Sequence, residues 1–490
     1  MDRALRFRIN KLLVEVNERE EMVALDWIRR EQRLTGTKEG CREGDCGACM
    51  VLLGEHTPEG VHWKAALSCL LALGELDGRH LITIEGLGAK GVTPVMEAML
   101  DEGASQCGFC SPGFIVSLTA YLINGDRSGP GGSGGSLTQE GAVRAVEGNL
   151  CRCTGYGSIQ RAADRLIERF GNLPASLPER LAVLSRAGVI PEDIAALMID
   201  LPAPAGKPSA GVPDPDGDGL AIGGGTDYYV RNPDPQPRGS VAFVDRNPAA
   251  RLISLTGDHI TLGASVSIQE FFENKLIRTT FPGIERHEAA FASLPIRTRA
   301  TLAGNITNAS PIGDMTAILL SLGTVVFIRS SASDAARSVP LERYFLGYRK
   351  TALDAGEYVE SVQIPLPEAN HRLCFNFEKV AKRTHLDIAS ANSAGLCVVS
   401  RDGTISSIAL SAGGVGPVPM RLARTEEFLR GKRVDSGTAR QAARIAGEEC
   451  SPIDDVRGTA DYRRTLLGRF IWAHLMSFFP ELSLAEELLS

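Results

Sequence analysis

Cysteines dominate the residues of this sequence that could do chemistry. The chain has 490 residues and 11 cysteines, and eight of the cysteines lie within the first 153 positions. They form two sets of four: Cys41, Cys46, Cys49 and Cys69, then Cys107, Cys110, Cys151 and Cys153. Four thiolates can complete the ligand shell of a metal centre, so two such sets predict a protein that moves electrons.

The first set has the spacing of a plant-type 2Fe-2S ferredoxin. Four residues separate Cys41 from Cys46, two separate Cys46 from Cys49, and the fourth cysteine is distant. The loop also carries three glycines: Gly40, Gly44 and Gly47. Because glycine allows a tight backbone, we expect several N–H groups to point at the sulfurs, where such bonds help to set a reduction potential.

The second set consists of two short pairs, "CGFC" and "CRC", each near the end of a predicted helix. A four-thiolate zinc site is an alternative for this set. A disulfide framework is less consistent with the sequence. No apolar signal segment occurs at the start, and a chain of this length can bury a sufficient hydrophobic core without disulfide bonds. The isolated Cys374, Cys397 and Cys450 are predicted to be small buried hydrophobic residues.

Two further segments could hold phosphate groups. Residues 221–227, "AIGGGTD", offer consecutive backbone N–H groups with little side-chain obstruction. A glycine triplet also suits a tight turn, but residues 299–314, "RATLAGNITNASPIGD", add small, hydroxyl and amide side chains. Together they can line a dinucleotide from both sides. Neither segment is the Rossmann fingerprint, and no strand-helix context for one is predicted.

Alternating and helical patterns suggest how these groups are positioned. A hairpin around Asn10-Lys11, a helix and strands at 50–53 and 81–84 predict a small mixed domain. Four helices follow, with Thr93-Pro94 and Ser111-Pro112 predicted to be N-cap and first-turn pairs. The second helix should end at Asn124-Gly125, and the third and fourth should span 138–150 and 158–170.

The remaining organisation is predicted from composition shifts. The run "GDRSGPGGSGG" indicates a surface loop, and the proline-rich stretch from 171 to about 218, with one helix at 191–198, indicates an interdomain connection. Strands and helices then alternate to about 370, and strands at 374–380 and 393–399, followed by helices, form a last lobe. The predicted domains are 1–86, 87–170, a linker at 171–206, 207–370 and 371–490.

Composition excludes several partners. The chain is 43% hydrophobic and 23% charged, and its longest apolar stretch, residues 317–328, is too short to span a bilayer. A net charge of -7 without a basic block argues against nucleic acid. Free thiols in this number imply a reducing compartment, so the cytoplasm is the expected location.

Taken together, the motifs resemble those of the molybdenum hydroxylases. The resemblance covers nearly the whole chain and rests on "GTKEGCREGDCGAC", "QCGFCSPG", "NLCRCTGY", "GGTD", "TLAGNITNASPIGD", "GYRKT" and "DIAS". It implies an α+β multidomain fold: a β-grasp 2Fe-2S domain, a four-helix 2Fe-2S domain, an FAD-binding domain of vanillyl-alcohol-oxidase type and a C-terminal α/β flavoprotein lobe. Molybdopterin would be held by a separate, larger partner subunit.

The resemblance also assigns residues to FAD. The implied contacts are Ile222, Gly223, Gly224, Gly225, Thr226, Asp227, Gly304, Asn305, Thr307, Ser310 and Asp314, with Tyr348 and Lys379 beside the flavin and Asp387 close by. Tyr348 and Lys379 could also be an ordinary strand-edge pair. Electrons would enter at the helical-domain cluster, pass to the ferredoxin-like cluster and FAD, and leave as hydride to NAD. No residue is assigned a catalytic role in substrate hydroxylation.

The iron-sulfur and flavin portions are joined on one chain, which favours the xanthine dehydrogenase branch of the family. The resemblance implies a heterotetramer of two small and two large subunits. Another two-subunit hydroxylase, acting on aldehydes or N-heterocycles, is the alternative. Two further classes remain: a redox sensor or scaffold with structural clusters, and a self-sufficient flavin reductase. The flavin segments argue against a sensor, because a sensor needs no two-electron exit.

Overall fold

The structure, a computed structural model, describes residues 4–57, 60–126, 136–204, 219–237, 241–330, 336–367, 371–383 and 386–482. The chain forms two units, and the segments of the two units alternate along the sequence. The first comprises residues 1–209, 225–241 and 293–296, and the second comprises 210–224, 242–292 and 297–490. Most of the predicted glycine-rich loop and the proline-rich stretch beyond 204 lie outside the described residues.

The first unit begins with a five-stranded mixed sheet. Its strands are β1 (Leu5–Ile9), β2 (Leu12–Val16), β3 (Met50–Thr57), β4 (Gly60–Leu67) and β5 (His80–Ile82), in the order β2-β1-β5-β3-β4. The predicted hairpin is confirmed, with Asn10 in the left-handed region at φ 51° between β1 and β2. β1 pairs parallel to β5, and the Phe7 and Trp27 rings pack edge to face 5.1 Å apart in the core. The predicted helix is short: α1 (Ala24–Asp26) continues as a π-helical turn, Trp27–Glu31.

Helices account for the rest of the first unit. They are α2 (Ile84–Leu87), α3 (Pro94–Asp101), α4 (Ser111–Asn124), α5 (Gln139–Val146), α6 (Gly157–Phe170), α7 (Leu177–Arg186), α8 (Glu192–Leu197) and α9 (Thr226–Arg231). The Thr93 cap is confirmed, since its hydroxyl accepts a bond from Met96 N at 3.3 Å. Gly125 ends α4 as predicted.

Two details of these helices correct the sequence prediction. Cys110, and not Ser111, is the N-cap of α4, because the Ser111 hydroxyl bonds to the Ser105 hydroxyl at 2.8 Å instead of capping the helix. The predicted interdomain stretch contains the expected helix as α8, but also α7, which the sequence analysis missed.

The second unit contains two larger antiparallel sheets. The first has the order β11-β10-β14-β9-β8, and the second has the order β15-β16-β17-β18. The strands are β6 (Leu220–Ile222), β7 (Val241–Phe243), β8 (Ile253–Thr256), β9 (His259–Gly263), β10 (Val325–Ser330), β11 (Ala336–Pro340), β12 (Phe345–Gly347), β13 (Lys350–Thr351), β14 (Glu357–Pro365), β15 (Arg372–Val380), β16 (Ala391–Val399), β17 (Ile405–Gly413) and β18 (Met420–Arg421). β6 pairs with β7, and β12 pairs with β13.

The remaining helices follow in chain order. They are α10 (Ile268–Glu273), α11 (Lys275–Thr280), α12 (Leu294–Arg297), α13 (Leu302–Asn308), α14 (Asp314–Ser321), α15 (Leu341–Tyr344), α16 (Ala423–Leu429), α17 (Ser436–Glu449) and α18 (Ala460–Phe478). α14 and α18 pack on β16. In the last lobe, β17 and β18 come before the helices. These two strands were not predicted from the sequence. Within the described ranges, no helix is both long and apolar enough to cross a membrane.

A buried histidine is held between strand and helix in the last lobe. His474 on α18 is fully buried, with Nδ1 3.0 Å from Asn376 Nδ2 and Nε2 2.9 Å from Ser393 Oγ. The Ser393 hydroxyl donates its proton to the Ser411 carbonyl at 2.7 Å, so His474 Nε2 must donate and Nδ1 must accept. Only the neutral ring fits this arrangement, and burial lowers the pKa of His474 to about 3.

This histidine predicts acid sensitivity of the lobe. The pKa of His474 is depressed on folding, so its contribution to stability is complete above pH 6.5 and is lost as pH falls toward 3. Between pH 7 and pH 5 we expect the free energy of unfolding to fall by about 2 kcal/mol from this group. Chemical denaturation of the wild type and His474→Gln at both pH values measures this. The variant should have a flatter pH dependence, and an equal dependence in both proteins would contradict the assignment.

Candidate cofactor sites

The first cysteine set is arranged as two pairs. Cys49 and Cys69 are both buried, and their sulfurs lie 3.3 Å apart. Cys41 and Cys46 form the other pair, in which the Cys46 thiol donates to the Cys41 sulfur. That bond and backbone N–H groups lower the pKa of Cys41 to about 5, while the pKa of Cys46 is raised. The four sulfurs of this set are therefore grouped as two close pairs.

The second set has the same paired arrangement on the helical part of the unit. The sulfurs of Cys107 and Cys153 lie 3.7 Å apart and both residues are exposed. Cys110, at the start of α4, pairs with Cys151, and burial raises the pKa of Cys110 to about 12. The Thr154 hydroxyl donates to the Cys151 sulfur at 3.1 Å. The "CGFC" and "CRC" segments thus contribute one cysteine each to both pairs.

Pairing of thiols is the arrangement that a two-iron cluster uses, because each iron takes two cysteine sulfurs in addition to the bridging sulfides. Within the part of the chain that the structure describes, no three His, Cys, Asp or Glu side chains gather where one ion could bind them. The four sulfurs of each set, grouped as two pairs, fit the ligands of a 2Fe-2S cluster. Assignment of the eight cysteines as ligands stays a prediction.

The glycines of the first loop have the roles expected for a cluster loop. Gly44 and Gly47 adopt left-handed φ angles of 84° and 65°, and a Cβ on Gly40 would lie 2.7 Å from Cys46 Sγ. The Glu43 N–H donates to Cys41 Sγ at 3.3 Å. Arg42 anchors the loop, since its Nη1 donates to the buried Asp26 carboxylate at 3.1 Å. These contacts direct main-chain N–H groups at sulfur, where they stabilise negative charge.

The glycine triplet connects a strand to a helix. Ile222 ends β6 and is buried, Gly225 caps α9 with φ 70°, and Thr226 and Asp227 form the first turn of α9. The triplet therefore has a strand-turn-helix context, whereas the sequence predicted none of the Rossmann type. The context still differs from a Rossmann unit, because β6 has three residues and α9 has six.

Within the second unit, the two predicted phosphate segments touch. A Cβ on Gly224 would lie 1.8 Å from the Arg299 carbonyl oxygen, and one on Gly223 would lie 2.7 Å from Thr301 Oγ1. In return, Arg299 Nη2 donates to the Gly224 carbonyl at 2.8 Å. A side chain is therefore excluded at Gly224 by the main chain of Arg299 and at Gly223 by the side chain of Thr301, so the close approach of the two segments depends on both glycines.

Helix α13 carries most of the other predicted FAD contacts. Thr301 caps it by accepting a bond from Gly304 N at 3.0 Å, and Asn305 follows on its first turn. Asn305 Oδ1 is buried and has no hydrogen-bond partner among the described residues. Thr307 Oγ1 lies 3.3 Å from the Tyr344 hydroxyl, and Ser310 accepts a bond from Ile312 N at 3.4 Å. A buried acceptor without a partner fits a site that a ligand completes.

Asp314 and Lys379 form a buried ion pair. Lys379 Nζ lies 2.7 Å from Asp314 Oδ2 and donates to the Ala290 carbonyl at 2.7 Å. Asn392 Nδ2 donates to the other Asp314 oxygen at 2.6 Å. Burial raises the pKa of Asp314, an effect that Lys379 opposes. The structure brings these two predicted residues together, and Lys379 pairs with Asp314 where the sequence analysis had considered a strand-edge pair with Tyr348.

Tyr348 and Asp387 lie on loops. Tyr348 is 60% exposed in the turn between β12 and β13, with the Arg349 guanidinium 5.6 Å from its ring centre. Asp387 accepts bonds from Arg383 N at 2.8 Å and Ile388 N at 2.9 Å, so it organises its own loop. The position of either residue beside a flavin stays a prediction.

Sequence reasoning missed three residues that shape these sites: Thr154, Arg299 and Asn392. Thr154 and Arg299 lie inside quoted motifs, and a hydroxyl directly after "CRC" or a lone arginine in a phosphate segment could have drawn attention. Asn392 is 78 residues from Asp314 in sequence, so no local signal marks it.

Comparisons with known families match four consecutive parts of the chain. Residues 7–73 match the 2Fe-2S iron-sulfur cluster binding domain, and residues 83–164 match the [2Fe-2S] binding domain. Residues 216–367 match the FAD binding domain in molybdopterin dehydrogenase, and residues 377–477 match the CO dehydrogenase flavoprotein C-terminal domain. The chain therefore carries 2Fe-2S and FAD-binding domains in the α+β arrangement expected.

Several known proteins resemble the chain along most of its length. Xanthine dehydrogenase of Blastobotrys adeninivorans is 27% identical over 94% of this chain and 40% of its own length. Nicotinate hydroxylase hnxS of Emericella nidulans is 28% identical over 90% of this chain and 38% of its own. A solved carbon monoxide dehydrogenase from Hydrogenophaga pseudoflava is 24% identical, with a TM-score of 0.48, over 52% of this chain and 88% of its own. The chain thus spans about 40% of the curated relatives.

Proposed function

This chain belongs to the molybdenum hydroxylases, as an iron-sulfur and FAD-binding chain, and we propose that it is the electron-transfer subunit of a xanthine dehydrogenase. A separate molybdopterin subunit oxidises hypoxanthine and xanthine to urate, and this chain delivers the electrons to NAD. The observation that carries the proposal is the order of the four matched domains on one chain, with the iron-sulfur and FAD portions joined. The similarity to xanthine dehydrogenases supports the choice of substrate.

The proposed roles of the residues follow from their contacts. The two cysteine sets hold one 2Fe-2S cluster each, with the Glu43 N–H donating toward the first. Gly223, Gly224 and the α13 segment hold the FAD pyrophosphate on backbone N–H groups, and Asn305 supplies an acceptor. When bound, the clusters supply one-electron transfer and the flavin converts single electrons to hydride. The Asp314–Lys379 pair keeps the flavin side of the site electrically neutral.

The partner and location follow from the same reasoning. A molybdopterin subunit is proposed because every cofactor motif identified on this chain serves electron transfer, and the assembly is proposed to contain two copies of each subunit. The cytoplasm is proposed because ligand thiols must stay reduced until clusters assemble. The alternative is the same role in a hydroxylase of aldehydes or N-heterocycles, which the similarity to nicotinate hydroxylase supports.

The proposed function is tested by comparing the reactions that the isolated chain catalyses with those of the complex with a molybdopterin subunit. The isolated chain, loaded with clusters and FAD, should oxidise NADH with an artificial acceptor and should not oxidise xanthine. Xanthine oxidation should occur only after a molybdopterin subunit is added, and steady-state assays of both preparations measure it. Conversion of xanthine to urate by the isolated, molybdenum-free chain would refute the proposal. An assembled complex that reduces oxygen readily but not NAD would refute the dehydrogenase part alone.

Within that complex, Tyr348→Ala should slow NAD reduction more than cluster reduction by substrate. The reason is that Tyr348 is proposed to lie at the flavin. Its exposed position in the β12–β13 turn makes a folding defect unexpected. Rapid-reaction spectroscopy of the two half-reactions separates the effects, with Tyr462→Ala, another exposed tyrosine at 45%, as the control. Equal rates in variant and wild type would remove Tyr348 from the flavin site.

A further inference from the structure

Asn149 is a buried polar side chain that lies between the two cysteine-bearing regions of the first unit. It is 3% exposed, and its Oδ1 accepts a bond from the Ser117 hydroxyl at 2.8 Å. Its Nδ2 donates to the Gly47 carbonyl at 3.3 Å. Gly47 belongs to the loop of the first cysteine set, and Ser117 lies on α4, which begins beside Cys110. One amide therefore joins that loop, α4 and the segment that leads to Cys151.

The neighbouring main chain makes a second connection. Leu150 N donates to the Cys46 carbonyl at 3.0 Å. Leu150 is bonded covalently to Cys151, so one hydrogen bond joins the backbone next to a cysteine of the second set to a cysteine of the first. The path of covalent bonds and one hydrogen bond between the two sets is therefore short, and it consists of main-chain and cysteine atoms.

Close approach at this point depends on two glycines. A Cβ on Gly47 would lie 2.4 Å from the Gly148 carbonyl oxygen, and one on Gly113 would lie 2.2 Å from the Gly47 carbonyl oxygen. Real Cβ atoms cannot approach oxygen so closely, so side chains at either position would push the regions apart. The absence of both side chains lets Asn149 reach Gly47.

We propose that Asn149 is a positioning residue that holds the Cys46–Gly47 loop against the Leu150–Cys151 segment and thereby fixes the separation and electronic coupling of the two clusters. The proposal rests on the proposed function, because it requires both clusters. Electron tunnelling weakens exponentially with distance, so a small widening at this contact slows transfer between clusters even when each cluster remains intact. Asn149 acts through geometry and need not touch either cluster.

The test uses the full chain with both clusters reduced, and measures their magnetic dipolar interaction by pulsed electron paramagnetic resonance. Asn149→Leu removes both amide hydrogen bonds at similar side-chain volume, and should weaken the interaction, which falls with the cube of the distance between the clusters. Ser117→Ala is the matched control, since it removes only the bond to α4 and leaves the bond to Gly47, and should behave as wild type. Iron content and midpoint potentials verify that both clusters are present and unaltered.

A second variant pair covers the case in which Asn149→Leu does not assemble its clusters. Gly113→Ala leaves Asn149 intact but places a methyl group against the Gly47 carbonyl, and should also weaken the interaction. Gly157→Ala is its control, because the nearest described atom to that Cβ outside its own helix backbone is Arg161 Nη1, at 3.8 Å. Unchanged interaction in Gly113→Ala, or in a fully loaded Asn149→Leu protein, overturns the proposal. A wild-type chain that lacks both cluster signals would instead refute the proposed function itself.

Discussion

Replacement of Cys46 by serine should remove one of two distinguishable 2Fe-2S signals from the reduced protein and leave the other. Cys46 is one of the four thiols of the first set, and it pairs with Cys41 within that set only. Loss of one thiolate leaves one iron with an incomplete ligand set, whereas the second set retains all four of its cysteines. Electron paramagnetic resonance and iron analysis of the anaerobically purified chain measure the result.

The control for this experiment is Cys450→Ser. The Cys450 thiol is buried and donates to the Gly447 carbonyl at 3.3 Å, a bond that serine can also make. This variant should keep both signals, which separates ligand loss from a general effect of removing a buried thiol. Stoichiometric zinc with a single iron signal in the wild type would contradict the assignment of the second set.

Gly224→Val should abolish FAD binding while both clusters remain. A side chain at this position would collide with the Arg299 carbonyl oxygen at 1.8 Å, so the turn and the α13 segment must separate. Both predicted phosphate-binding segments are then displaced at once. Flavin content after purification and fluorescence titration measure the loss. The control is Gly447→Val, because a Cβ on Gly447 would meet no described atom within 4 Å outside its own helix backbone. Normal flavin affinity would show that the turn has only a structural role.

A milder variant distinguishes a lost ligand contact from a disturbed domain. Asn305→Ala removes a buried oxygen that has no partner among the described residues, so the chain should not lose stability. If FAD completes that hydrogen bond, the affinity for FAD should fall about tenfold. Thermal unfolding of the FAD-free chain supplies the comparison, and unchanged affinity would exclude Asn305 from the site.

The grouping of the eight cysteines into two sets depends on local spacing, so the sequence alone could propose it, and their role as cluster ligands stays a prediction. The hairpin at Asn10 and the cap at Thr93 were also local, and both are confirmed. In contrast, the pairing of Asp314 with Lys379 joins residues 65 positions apart, and Asn149 reaches Gly47 across 102. Such contacts follow from tertiary packing, which no periodicity in the sequence encodes.

The missed strands have a related cause. β17 is built largely from small and hydroxyl residues, "ISSIALSAG", so its buried face has little apolar contrast. Ser411 shows how such a strand is stabilised, because its buried hydroxyl donates to the Ala317 carbonyl at 2.6 Å. The error at α4 was different in kind: Ser111 resembles a cap by residue type, but its hydroxyl is already engaged by Ser105.

Segments of the two units alternate along the sequence, so the chain cannot be divided into its two units by a single cut. Residues 225–241 and 293–296 lie far beyond the last cysteine set, yet they pack within the first unit. Tyr229 is fully buried there and donates its hydroxyl proton to the Glu21 carbonyl at 3.2 Å. A fragment that stops at residue 204 would keep all eight cysteines but would expose the surface that Tyr229 covers. A protease cut in the proline-rich stretch should therefore leave two fragments that stay associated until they are denatured.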